Sequence, residues 1–157
     1  MITQEQIDYF EDNTPPNYFI VIGVDGYNSI ADNNSYFDNY YLPKYVEKIT
    51  LISMLLMSWY SVEIAFHADD KESELYKYSD KEFTAEDVDI LIKLISGSMH
   101  HKGYIHFLFK DDEGEEFLMY IYGDSTIGFC NMTKKTKKYV EAQVNKQGLS
   151  LWLDESE

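Results

Sequence analysis

Few side chains here carry chemistry of their own: four histidines (His67, His100, His101, His106), one cysteine (Cys130) and 28 carboxylates. The histidines form no H-E-x-x-H, and one cysteine cannot build a thiolate zinc centre. His67 lies two residues before Asp69, and His106 falls on a neighbouring predicted strand. A His–carboxylate metal site or an unfamiliar enzyme site near His67 and His106 is therefore the chemical alternative to weigh. A half-exposed strand histidine is the simpler account. Cys130 with a distant histidine would make a nucleophile pair, but a free cysteine at a strand end is ordinarily a small buried hydrophobe. Gly123-Asp124-Ser125 reads as a turn. Neither glycine-rich phosphate cradle is present, since Gly23-Val24-Asp25-Gly26 fails the spacing. No carboxylate pair stands out as buried, which a glycosidase requires. Asp25 to Asn34 fails the calcium-loop pattern. No catalytic residue, metal or cofactor is expected.

What remains is charge. The 28 acidic residues face 13 basic ones, all lysine, for a formal net charge of −15. Without arginine the chain lacks the planar fork that grips phosphate. The acidic excess repels nucleic acid and anionic lipid. Neither direct nucleic-acid binding nor membrane binding is expected. Lys134, Lys135, Lys137 and Lys138 cluster on one predicted helix and read as a solvated face.

The partner-binding candidates are acids interleaved with tyrosine, an aromatic that supplies contact area at low entropic cost. Asp25, Tyr27, Asp32, Tyr36, Asp38 and Tyr40 fall within a turn-prone stretch, 25–41, that predicts a long functional loop. Asp69, Asp70 and Glu72 form a second acidic segment, and Asp111, Asp112 and Glu113 a third. Carboxylates beside aromatics suit a basic protein partner, whose association they steer. The expected function is non-enzymatic inhibition of such a partner, foremost a bacterial immunity protein against a nuclease-type toxin. The alternative is a phage-encoded anti-defence inhibitor, anti-CRISPR or anti-restriction, acting as a nucleic-acid mimic. The two differ in geometry: a mimic needs a long stripe of carboxylates, an immunity protein only a local patch. Exposed aromatics leave a homodimer open.

These residues need a scaffold. At 157 residues the chain is expected to form one α+β domain, 1–157. Thr3 and Gln6 make a capping box for a helix over 3–13. The run 17–24 reads as a buried strand. Pro43 suits the first turn of a helix to Ser58 carrying Tyr45, Ile49, Ile52, Leu55 and Leu56. Strands follow at 60–67, 103–110, 116–122, 126–130 and 149–153. Helices are predicted from Thr84 and over 133–147, and 69–82 reads as irregular. The predicted architecture is a mainly antiparallel sheet of about five strands with three to four helices on one face. A long helix between strands leaves one parallel crossover possible. The polar N-terminus does not resemble a signal peptide, and a lone cysteine needs no oxidising compartment, so the cytoplasm is the expected location.

Overall fold

The computed structural model describes residues 2–13, 17–21, 41–122 and 126–154. The predicted loop therefore lies outside the described residues, apart from Tyr41. The architecture is α+β, as expected, with seven strands among the described residues rather than about five.

In chain order the elements are α1 (Gln4–Asn13), β1 (Tyr18–Val21), α2 (Leu42–Trp59), β2 (Ser61–His67), β3 (Glu82–Phe83), α3 (Val88–Met99), β4 (Tyr104–Lys110), β5 (Glu116–Tyr122), β6 (Thr126–Cys130), α4 (Lys134–Lys146) and β7 (Ser150–Leu153). The strands form one sheet in the order β3-β2-β4-β5-β6-β1-β7. Every pairing is antiparallel, including β2 with β4 across α3, so the described residues contain no parallel crossover. The short β3 sits at the end of the segment expected to be irregular. Two residues are too few for an alternating pattern to show in sequence.

Side chains alternate between the faces of a strand. One face of the sheet carries Ile64, Phe66, Ile105, Phe107, Phe109, Phe117, Met119, Ile121 and Phe129, all buried beneath α2, α3 and α4. These helices contribute Tyr45, Ile49, Ile52 and Leu56 from α2, Leu91, Leu94 and Ile95 from α3, and Val140 and Val144 from α4. Each fully buried aromatic or aliphatic side chain contributes about 1.5–3 kcal/mol. Ser53 and Ser98, buried in α2 and α3, donate their hydroxyls to the carbonyls of Ile49 and Leu94 at 2.8 Å each. Both buried hydroxyls are thereby satisfied.

The opposite face corrects the one-sided expectation. There α1 lays Ile7 and Phe10 over Leu108, Leu118, Tyr120 and Cys130, a second and smaller core. This is why the middle five residues of β4 and of β5 are all buried. Gly128 makes room within this layer. A Cβ there would run into the Tyr120 ring, which lies across β6 at that point. The N-terminus of α1 is closed by the capping box expected from Thr3 and Gln6: Thr3 N–H donates to Gln6 Oε1 at 2.9 Å and Gln6 N–H to Thr3 Oγ1 at 3.2 Å.

Candidate functional site

On the face beneath α1, antiparallel register sets the polar residues in rows. His67 pairs with Tyr104 and Ala65 with His106 across β2 and β4; His106 pairs with Tyr120 across β4 and β5. The two histidines named in the sequence thus share a face but stand diagonally, each with its own network.

The first network lies at the rim. His67 Nε2 meets Asp69 Oδ1 at 2.7 Å, and its Nδ1 meets Asp80 Oδ1 at 3.3 Å. Tyr104 donates its hydroxyl to Asp69 Oδ2 at 2.7 Å and stacks its ring 6.1 Å from that of His67. The hydrogen bond that His67 donates to Asp69 raises the His67 pKa, with Asp80 adding to it. Tyr104 first, then His67, holds the Asp69 carboxyl below its usual range. The two carboxylates bind opposite nitrogens of one ring, so they do not converge on a common point. Among the described residues no group of three His, Cys, Asp or Glu could hold a metal ion.

The second network is partly buried. Tyr122 donates its hydroxyl to Glu11 Oε1 of α1, and His106 Nε2 lies 3.0 Å from the same hydroxyl. A carboxylate only accepts, so the Tyr122 proton points at Glu11. The His106 contact must then be Nε2–H donating to the Tyr122 oxygen. That fixes the tautomer and leaves Nδ1 as a bare acceptor. Burial lowers the His106 pKa to about 4, so the ring is neutral at pH 7. Burial also raises the Tyr122 pKa, with Glu11 adding to it. Cys130 lies in this layer, its thiol pushed up to about 12 by burial. It holds no thiolate at neutral pH, and no hydrogen bond joins it to a histidine among the described residues.

Between the two networks runs an open groove of about 630 Å³. Its walls include Gln4 and Ile7 of α1, Asp69 and Asp70, Tyr104, Tyr122, and His106 at its floor. The lip opposite is the turn after α3. There Lys102 N–H donates to the Gly97 carbonyl at 2.8 Å and His101 takes φ 62°. This is a helix C-terminal motif in which glycine is the usual residue at the left-handed position. Gly103 follows and brings β4 against the Phe66 ring and the His67 carbonyl, where a Cβ would not fit.

The acidic candidates separate in space. Asp69 and Asp70 reach the groove. Glu72 follows in the same turn, and its N–H donates to Asp70 Oδ1 at 2.9 Å. Asp111, Asp112 and Glu113 lie at the other end of β4, about 20 Å away at roughly 3.3 Å per residue. Asp111 braces its own turn, where its Oδ1 accepts from the N–H groups of both Glu113 and Glu115 at 2.9 Å. Asp112 borders a small cleft with Trp59, Tyr60 and Lys135. Asp25, Tyr27, Asp32, Tyr36, Asp38 and Tyr40 lie outside the described residues.

One acidic surface is not among the sequence candidates. Glu5, Asp8, Tyr9 and Asp12 fall at i, i+3, i+4 and i+7 of α1 and are all exposed, Tyr9 by 58%. Among the described residues none of the three carboxylates is ion-paired; Asp8 accepts only from Gln4 Nε2 at 2.9 Å. A signal for it exists, since residues 1–43 contain no lysine. The apolar stripe of Ile7 and Phe10 describes only the helix's inner side.

Among the described residues no helix is long and apolar enough to cross a membrane. Comparison with protein families, curated proteins and solved structures gives no match to this chain.

Proposed function

We propose that this protein binds and inhibits a basic protein, foremost as an immunity protein neutralising a nuclease-type toxin. The observation that carries the reading is the outer face of α1, where Tyr9 stands exposed among Glu5, Asp8 and Asp12, with no cation paired to them among the described residues. An aromatic anchor inside a ring of carboxylates has the composition of a contact for a cationic surface. Glu11 pins the helix to the sheet through Tyr122, and Ile7 and Phe10 seat it, so the face is presented in a fixed orientation. A preorganised surface loses less entropy on binding.

The same face favours the immunity reading over the nucleic-acid mimic. From Glu5 to Asp12 the stripe spans about 10 Å at 1.5 Å per residue. That is a local patch, which suits an inhibitor docking on a toxin.

The test uses a partner recovered from host lysate on the immobilised protein at low salt and released at high salt. The purified partner is then measured against wild type and Glu5→Lys/Asp8→Lys/Asp12→Lys. The reading expects the partner to be basic, its activity to be blocked, and the association rate to fall at least about tenfold in the variant. An unchanged rate would remove α1 from the interface.

A further inference from the structure

The groove beside α1 carries more than acidity. Its floor is His106, 9% exposed, with Nε2 committed to Tyr122 and no partner for Nδ1 among the described residues. That nitrogen is not sealed from solvent, so its lone pair can accept from a donor that enters the groove. Asp69 and Asp70 line the wall above it, and the Tyr104 and Tyr122 rings meet edge to face at 5.8 Å beside it. Ile7, itself buried against the sheet, closes the groove on the α1 side. Carboxylates, an imidazole acceptor and tyrosine rings together suit a group that donates hydrogen bonds, carries positive charge and accepts nothing. His101 and Lys102, on the far lip, are both exposed and meet solvent.

We propose that this groove receives a guanidinium or ammonium group, the end of an arginine or lysine side chain on the basic partner. The inference rests on the basic-partner reading above and adds the place where one cationic side chain is taken up. Gln4 and Ile7 belong to both α1 and the groove wall, so a partner lying on the acidic stripe of α1 has the groove within reach. The volume falls within the usual range of ligand pockets.

The probe is agmatine, a guanidinium on a short alkyl chain, titrated into the full-length protein with its histidine ring nitrogens labelled. Sodium chloride at equal ionic strength is the control. The His106 Nδ1 resonance is expected to shift saturably at about millimolar agmatine and not with salt. Asp70→Asn is expected to weaken binding about tenfold, the effect of removing one charged hydrogen-bond partner. Asparagine still accepts from the Glu72 N–H, so the turn is kept. No saturable shift, or the same shift with sodium chloride, overturns the proposal. A hexa-arginine peptide then separates the sources of the cation. Weakened peptide binding in Asp70→Asn supports a protein side chain. Agmatine binding alone, with peptide affinity unchanged by Asp70→Asn, overturns the assignment to a protein partner. Loss of peptide binding only in the α1 charge-reversal variant leaves the α1 reading standing and removes the groove.

Discussion

Burial holds the His106 ring near pKa 4, against 6.5 in the unfolded chain. Between these values the unfolded chain binds a proton that the native state refuses. Stability therefore falls as pH drops through that window, by about 3 kcal/mol in all. Urea unfolding at pH 7 and pH 4.5 should show this loss, and His106→Gln should flatten it; parallel profiles would count against the buried neutral ring. His67 acts in the opposite sense. Its pKa is raised by Asp69 and Asp80. Its contribution is complete below its unfolded value and disappears as pH rises through its folded one. Being half exposed, His67 moves stability little. The sequence places these two histidines on neighbouring strands, and the register of β2 with β4 agrees. It does not show their separation into a surface pair and a buried one. That depends on α1, whose Glu11 lies 111 residues from its Tyr122 partner, closing over one of them.

At the scale of elements, α1 is built against its own stability. Glu11 and Asp12 lie at its C-terminal end, which has no basic residue in its last turn. Negative charge there opposes the helix dipole by about 0.3–1 kcal/mol per residue. Asp12→Lys should therefore raise the unfolding free energy by about that amount while weakening partner binding. A variant both less stable and equally inhibitory would contradict the trade. Local signals are legible where they are dense. The α2 helix, expected over Pro43 to Ser58, runs Leu42–Trp59. The strands expected at 60–67 and 116–122 are found within a residue. The helix expected from Thr84 begins later, at Val88, because Thr84 and Asp87 close a turn of their own, with Thr84 N–H donating to Asp87 Oδ2 at 2.8 Å. Layering is illegible because Ile7 and Phe10 specify an apolar stripe without saying which face of the sheet it covers.

Across the whole molecule, a net charge of −15 attracts basic surfaces at long range without fixing where one would touch. The fold sorts the acids. Asp69 and Asp70 share a side with α1, while Asp111, Asp112 and Glu113 stand at the far end of the central strands. Lysine substitutions at Asp69 and Asp70 should lower partner affinity at least about tenfold, and more at low salt. The same change at Asp112 and Glu113 should alter the association rate by less than about threefold through long-range field alone. Equal losses at both ends would mean that the net field, and no defined face, recruits the partner. The sheet order has one more consequence. Strand β1 sits between β6 and β7, and α1 rests on β4, β5 and β6, so the first twenty or so residues find their places among the last fifty or so. During synthesis the segment bearing Glu5, Asp8, Tyr9 and Asp12 leaves the ribosome before these strands and waits without a surface to rest on. Inhibitory strength would then appear only once β5 and β6 have emerged. A nascent chain arrested before them would leave its target untouched.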